Sequence, residues 1–341
     1  MVQESSIYFI ITERCNLSCL HCIRGKQSFR DMPFEKVRDL LLLFSNRFPN
    51  ALFAISGGEP TLHERIHEIL VFAERNIRNR IVLCSNGTTD FFLGIKSLRL
   101  LKTVFQLSMD GIDAVHDAIR GSGAFTRLIN SFQGLISSNV PIVISTTITR
   151  ANENHVDEIM DALSHYAITE WKISPAVPHG CADLSDVLSA GEWNLIVDRI
   201  KSRRLPFSVN AIKMFDLEQF NSMSDDQLHA LGDLAMRCRL YNCGSGGRKI
   251  YIYPDGEIYG CTCLKKFPFG NIFTQKMEDV FASVNAKRIT KYTVVPDSPC
   301  AKCRYIRLCN GGCIGMSLAR FGELGHGDIR CPIVAKEILR K

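Results

Sequence analysis

No run in this sequence is long and apolar enough to be read as a membrane span. The longest uncharged stretch, Leu128 to Thr149, holds Gln133, Gly134, Asn139, Pro141 and several serines, so it reads as a helix end followed by a strand. A secretory signal is also missing, because Met1-Val2-Gln3-Glu4-Ser5-Ser6 runs straight into an apolar strand pattern. A cytoplasmic protein is therefore expected, with no membrane partner. Dense Lys or Arg runs are absent and the formal net charge is only +6, which argues against a nucleic-acid partner. There is no internal repeat and no low-complexity segment. What is present is 341 residues at 46% hydrophobic and 22% charged, enough for a large core in about two units and unlike a disordered chain.

Cysteine is abundant, at 14 residues. In a small secreted protein that number would suggest disulfides, but a long chain without an export signal points instead to metal ligands. The spacing agrees, since the cysteines cluster towards the two ends. Cys15, Cys19 and Cys22 directly follow the first apolar run, and nine more lie between Cys238 and Cys331.

Between those clusters, short apolar runs alternate with amphipathic stretches. Ile7–Ile11, Leu52–Ile55, Ile81–Leu83, Val104–Leu107, Ile142–Ile148 and Trp171–Ile173 read as strands. Phe34–Phe48, Ile66–Ala73, Phe91–Leu101, Ile129–Ser137 and His155–Tyr166 read as helices. Six alternations predict an α/β fold, a partial TIM-like (β/α)6 barrel with its chemistry at the C-terminal strand ends. The unusual residues fall there: Cys15, Gly57-Gly58-Glu59, Ser85-Asn86-Gly87, Ser108-Met109-Asp110 and His179-Gly180-Cys181. We expect the barrel over 1–180, a helical linker over 181–232 and a small cysteine-rich domain over 233–341. In that last domain Pro254-Asp255-Gly256 should turn a hairpin between Ile250–Tyr253 and Glu257–Tyr259.

Three thiolates on one short loop can hold three irons of a four-iron cluster and leave the fourth open, as a chemically active cluster requires. A zinc site completed by a distant ligand is the alternative. Gly57 and Gly58 suit close backbone approach to a ligand because no Cβ intervenes. The Cys300, Cys303, Cys309, Cys313 series is equally open to a zinc ribbon.

Together these segments resemble the radical S-adenosylmethionine enzymes of the SPASM branch. Cys15-Asn16-Leu17-Ser18-Cys19-Leu20-His21-Cys22 is similar to the family signature, and Gly57-Gly58-Glu59-Pro60 to its methionine-amino-group motif. Ser85-Asn86-Gly87, Ser108-x-Asp110-Gly111 and His116-Asp117-x-x-Arg120-Gly121 sit where the family has counterparts. The resemblance implies that Gly57, Gly58, Glu59, Ser85, Asn86, Ser108, Asp110 and Arg120 bind S-adenosylmethionine. Ser108 and Arg120 would hold its carboxylate, a task for which a guanidinium is well shaped. His21 would pack near the adenine rather than ligate metal.

By the same resemblance there are three [4Fe-4S] clusters. Cys15, Cys19 and Cys22 would hold the first; Cys238, Cys243, Cys261 and Cys313 the second; Cys300, Cys303, Cys309 and Cys331 the third. The last two would be fully thiolate-ligated and suited to electron transfer. Three such clusters carry about −5 in all, which brings the net charge near neutrality.

Cys84, Cys181 and Cys263 are left over. Cys84 ends the third strand and reads as a packing residue. Cys181, at the barrel mouth, and Cys263, two residues beyond Cys261 and on its face if the segment is extended, are candidate hydrogen-atom donors to a substrate radical. His179 is a candidate base. Thr262 stands where sulfatase-maturating relatives carry an Asp, which argues against that substrate.

The resemblance further implies reductive cleavage of S-adenosylmethionine to a 5′-deoxyadenosyl radical and hydrogen abstraction from the substrate. The first choice of substrate is a ribosomally made peptide, crosslinked or otherwise oxidised at C–H. A dehydrogenase or epimerase of a sugar or other small molecule is the alternative. A flavodoxin or ferredoxin would supply electrons. With the barrel starting near residue 6, a separate leader-peptide-binding protein is expected, or leaderless capture by 181–232.

Overall fold

The structure, a computed structural model, describes residues 5–25, 28–238 and 248–339. Among the described residues, ten strands form one sheet in the order β10-β9-β8-β1-β2-β3-β4-β5-β6-β7. They are β1 (Ser6–Thr12), β2 (Leu52–Gly57), β3 (Ile81–Ser85), β4 (Val104–Ser108), β5 (Ile142–Ile148), β6 (Glu170–Pro175), β7 (Ser208–Asn210), β8 (Lys249–Ile252), β9 (Glu257–Tyr259) and β10 (Gly270–Asn271). β1 to β7 are mutually parallel, and β8 joins them by pairing parallel to β1, with Ser6 opposite Lys249. β9 and β10 run antiparallel. The expected partial barrel is present and is flanked on one side by the C-terminal hairpin.

Strand alternation sorts the side chains into two faces. Phe9, Phe53, Ile55, Leu83, Phe105, Leu107, Ile144 and Trp171 point outward into the main core. The helices that cover them are amphipathic. In α1 (Phe34–Arg47), Val37, Leu40, Leu41 and Phe44 recur at helical spacing and are buried. Burying a side chain such as Phe44 contributes about 1.5–3 kcal/mol. α2 (Ile66–Asn76), α3 (Asp113–Arg120), α4 (Ala124–Ser137), α5 (Val156–Leu163) and α6 (Ala190–Lys201) follow the strands in turn.

The opposite face is concave. Its floor is a small apolar cluster of Val82, Val104 and Val143 with Leu52 and Cys84 packed against it. Towards the C-terminal strand ends the same face becomes polar, with Ser56, Gln106, Ser108, Ser145, Thr147 and Lys172. An apolar floor beneath a polar, half-open chamber is what a barrel needs in order to admit a substrate from one end.

Some elements depart from the pattern. The helix expected at Phe91–Leu101 is a 3-10 helix over Asp90–Leu98, with Gly94 at its middle weakening an α-helix. α3 had no predicted counterpart. The linker expected to be helical contains α6, started by a Ser189–Glu192 capping box, but also β7, which extends the sheet beyond β6. Further on, α7 (Asp225–Cys238) places Leu228 against Tyr305 and Leu308 of the C-terminal domain. The hairpin forms as predicted. Among the described residues, no helix is long and apolar enough to cross a membrane.

Candidate active site

The β1–β2 register is regular from Ser6–Leu52 to Ile10–Ser56 and becomes irregular just before Thr12–Gly57. There the chain leaves the sheet and enters the loop of Cys15, Cys19 and Cys22. Arg14 anchors that loop, donating from Nε to Asp31 at 3.1 Å and from Nη2 to the Leu62 carbonyl at 2.8 Å. All three cysteines are half-buried. Burial pushes the Cys15 thiol up to about 11, with the charges of Glu59, Cys19 and Cys22 adding to it. Burial raises Cys19 as well, against the opposing charge of Arg120. Crowded, desolvated thiols of this kind ionise when a metal supplies the compensating charge.

The glycine turn packs against this loop. A Cβ on Gly58 would lie 2.3 Å from the Arg14 carbonyl oxygen and 2.9 Å from Cys15 Cβ, so no side chain fits. The Gly58 and Glu59 N–H groups donate to the Thr12 and Arg14 carbonyls at 2.9 and 2.7 Å. The close approach that glycine permits is thus to the protein's own cysteine loop. Glu59 itself is fully buried. Its carboxylate accepts from Thr61 N and Oγ1, Ser85 Oγ and Asn86 N, at 2.6 to 3.1 Å. Burial pushes this carboxyl upward, against those hydrogen bonds. Glu59 and Ser85 therefore tie the β2 and β3 loops together. Asn86 reaches onward, donating to Asn16 at 2.9 Å, with its Nδ2 3.9 Å from Cys15 Sγ.

A second buried carboxylate organises the other side. Asp110 follows β4, and its Oδ2 receives Arg120 Nε at 2.6 Å and lies 2.7 Å from His21 Nε2, while its Oδ1 accepts from Thr147 N at 2.8 Å. Burial alone would raise the Asp110 carboxyl, but Arg120 and His21 outweigh it and hold it well below the usual carboxylate range. Arg120, on α3, is thereby aimed at the cysteine loop, with Nη1 3.8 Å from Cys19 Sγ. Ser108, at the end of β4, is half-buried on the inner face. His116 went unassigned in the sequence; it is buried and its Nδ1 accepts from Asp110 N at 3.3 Å. Spacing along α3 gave no signal for that contact, which depends on the turn after β4.

In the C-terminal domain Cys300, Cys303, Cys309 and Cys331 line one pocket whose remaining walls include Phe215, Leu217, Ile306, Ile333 and Val334. Burial pushes Cys300 and Cys309 up to about 12, and each also feels the charges of Cys303 and Cys331. Four soft sulfur donors facing an apolar void suit an iron–sulfur cluster. Among the described residues, no three His, Cys, Asp or Glu side chains gather closely enough to hold a single metal ion.

Cys313 turns away from that pocket. A Cβ built on Gly315 would lie 3.6 Å from Cys313 Sγ and 3.3 Å from Cys263 Sγ, so the two thiols flank one point. Cys261 is half-buried nearby in sequence. Cys243 and the side chain of Cys238 lie outside the described residues. Asp328, which sequence patterns did not single out, joins the two groups. Its carboxylate accepts from Cys313 N at 3.1 Å and from Arg330 Nη2 at 2.7 Å, and its carbonyl accepts from Cys331 N at 3.0 Å.

The spare cysteines differ in setting. Cys263 is only 3% exposed and lies in a 3-10 turn, Thr262–Leu264, so the expected extended face shared with Cys261 does not form. Cys181 is exposed, and its N–H donates to the Cys22 carbonyl at 2.9 Å. Gly180 permits this contact, since a Cβ there would lie 2.2 Å from Cys22 O. Cys84 ends in the barrel floor cluster. His179 is half-buried; burial and the charge of Lys265 lower its pKa.

Residues 9–163 match the family model of the radical SAM superfamily, and residues 243–304 match that of the SPASM iron–sulfur cluster-binding domain. The chain carries a radical SAM domain followed by a SPASM domain. It is 27% identical over 336 residues to the mycofactocin maturase MftC of Mycolicibacterium smegmatis, a match spanning 94% of this chain and 81% of that protein. It is 27% identical over 300 residues to the antilisterial bacteriocin subtilosin biosynthesis protein AlbA of Bacillus subtilis, spanning 81% of this chain and 59% of AlbA. The crystal structure of Streptococcus suis SuiB bound to precursor peptide SuiA superposes with a TM-score of 0.79, covering 98% of this chain and 76% of that one. At 16% identity this last likeness is one of fold.

Proposed function

We propose that this radical SAM/SPASM enzyme is a maturase of ribosomally made peptides that crosslinks or otherwise oxidises C–H bonds. The carrying observation is Arg120, pivoted on buried Asp110 so that its guanidinium adjoins the three-cysteine loop at the C-terminal rim of the barrel. A cation beside an incomplete thiolate set suits a ligand that brings both a carboxylate and a metal-chelating amine. The peptide reading is supported by one relative named as a maturase, by another named for biosynthesis of a bacteriocin, and by a fold neighbour solved with its precursor peptide.

In this reading Cys15, Cys19 and Cys22 hold a [4Fe-4S] cluster with one open iron. S-adenosylmethionine binds there, near Gly57, Gly58, Ser108 and Arg120, and Glu59, Ser85, Asn86 and Asp110 hold the surrounding loops. When bound, the reduced cluster and S-adenosylmethionine supply a 5′-deoxyadenosyl radical. Cys300, Cys303, Cys309 and Cys331 hold one auxiliary cluster, and Cys238, Cys243, Cys261 and Cys313 the other. The polar chamber above the valine floor seats the substrate and keeps water from the radical. Cys181, exposed beside the cysteine loop, is the better placed of the two spare thiols to return a hydrogen atom, since Cys263 is buried beside Cys313. A flavodoxin or ferredoxin supplies electrons in the cytoplasm, and a separate protein presents the leader peptide.

The test is anaerobic reconstitution followed by S-adenosylmethionine and dithionite. Roughly twelve irons per chain and 5′-deoxyadenosine release are expected. About four irons with stoichiometric zinc would reject the auxiliary assignment. With a peptide substrate in deuterated water, loss of two hydrogens marks oxidation or crosslinking, whereas deuterium at one carbon marks epimerisation.

A further inference from the structure

Arg24 lies two residues beyond Cys22, yet its side chain faces the barrel. Its Nη2 donates to Ser56 Oγ on β2 at 3.3 Å, and its guanidinium lies 5.9 Å from the centroid of the Tyr253 ring. Its Nη1 is buried and, among the described residues, has no hydrogen-bond partner. Among the described residues no carboxylate lies within ion-pairing distance of it. A buried guanidinium N–H without an acceptor is costly, and in a native structure it calls for a missing partner.

A second cation shares this chamber. Lys172 projects from the inner face of β6, with Nζ 3.3 Å from Gln106 Oε1 and a longer 3.8 Å approach to Glu170. Both Lys172 and Arg24 act electrostatically on Cys84 of β3. Lys265 adds a third positive charge, 4.6 Å from the centroid of the same Tyr253 ring. The nearby carboxylate of Glu13 is already engaged by Arg30 at 2.8 Å. Cations therefore outnumber free carboxylates around the chamber. Arg120, whose neighbours are Asp110 and Cys19, is a separate guanidinium.

We infer that the chamber contains a carboxylate subsite in which Arg24, supported by Lys172, grips an acidic group of the substrate peptide. The inference rests on the peptide reading above and narrows it to substrates that present a carboxylate at the barrel mouth, from an Asp or Glu side chain or from the chain terminus. Arg24 has the geometry for a paired N–H contact once an acceptor reaches Nη1. Lys172 contributes a point charge from the opposite wall.

The test is calorimetric titration of the anaerobically reconstituted enzyme, saturated with S-adenosylmethionine. The probes are ten-residue Gly-Ser peptides carrying one Asp or one Asn, each with a free or amidated C-terminus, and glutarate as a small dicarboxylate. Carboxylate-bearing peptides should bind about tenfold to a hundredfold more tightly than their amide counterparts. Arg24→Gln should erase that preference and Lys172→Gln should reduce it. Comparison of the Asp and free-terminus peptides identifies which carboxylate is read. Peptide binding indifferent to charge, or a preference that survives both substitutions, overturns the subsite and leaves the peptide reading standing. Arg24-dependent binding of glutarate with no binding of any peptide supports the subsite and overturns the peptide reading. Binding of none of the probes overturns the subsite. If Arg24→Gln weakens S-adenosylmethionine as strongly as it weakens acidic peptides, the carboxylate held is the cosubstrate's and the inference fails.

Discussion

Asp110 and Arg120 meet at 2.6 Å, carboxylate to guanidinium Nε, and neither is appreciably exposed. The pair is more than a local ion pair because each end is already engaged elsewhere. Asp110 also faces His21 and accepts from Thr147 N, while Arg120 extends to Cys19. One charge pair thus connects β4, β5, α3 and the cysteine loop, and it fixes a guanidinium 3.8 Å from the Cys19 sulfur.

Substituting Asp110→Asn keeps the shape and removes the charge. Arg120 would then be a buried cation facing an amide, a change expected to cost about 3–5 kcal/mol. Urea unfolding should show a lower midpoint, and calorimetry should show weaker S-adenosylmethionine binding as Arg120 loses its orientation. An unmoved midpoint would mean that water, rather than Asp110, balances this guanidinium.

His116 provides a pH signature. Burial first, then the charge of Arg120, depresses its pKa to about 4, against the opposing pull of Asp110 and Asp117. An ordinary histidine in the unfolded chain titrates near 6.5. A group depressed on folding stabilises the protein above its unfolded pKa, and that contribution is lost as pH falls towards the folded one. Stability should therefore erode between about pH 6.5 and 4, by up to roughly 3 kcal/mol from this residue. His116→Gln should flatten that part of the curve relative to the parent. Parallel curves for the two proteins would contradict the assignment.

Much of the fold was legible because buried parallel strands are short apolar runs and the helices between them keep their period. All six predicted strands are present, and Cys15, Gly58, Ser85 and Asp110 lie at the strand ends where the pattern put them. The parts that escaped depend on contacts distant in sequence. β7 is three residues long and is a strand only because β6 lies beside it. The parallel pairing of β8 with β1 bridges some 240 residues, and no local pattern encodes it. Motif spacing likewise singled out Glu59 but could not reveal that its carboxylate is spent on Thr61, Ser85 and Asn86. It missed Asp328 altogether, whose role appears only when Cys313 and Cys331 come together.

Asp328 is the basis of a third expectation. It is buried, pairs with Arg330 through both Nε and Nη2, and holds the backbone at Cys313 and Cys331. Asp328→Asn should loosen the loop of Cys313, whose N–H the carboxylate receives, and free Arg330 beside Cys331, although the residue's backbone carbonyl still accepts from Cys331 N. The reconstituted variant should lose iron to a chelator faster than the parent. Its S-adenosylmethionine-dependent spectral change at the first cluster should persist. Equal iron retention would show that the thiolates position themselves.

The last expectation separates the first cysteine loop from the rest. Cys15, Cys19 and Cys22 are held by contacts from Asn86, Arg120 and the Gly58 turn, none of which touches the pocket of Cys300, Cys303, Cys309 and Cys331. Replacing the three with Ala should remove about four irons and abolish 5′-deoxyadenosine formation, while about eight irons and the auxiliary absorbance remain. The reciprocal change, Cys300, Cys303, Cys309 and Cys331 to Ala, removes four thiols from a pocket that apolar side chains can partly refill. It should cost about four irons yet leave S-adenosylmethionine binding measurable. If cleavage survives the first set of substitutions, the tripod is not where the cosubstrate binds. If both sets abolish all iron, the two halves assemble their clusters as one cooperative unit through the continuous β8–β1 sheet.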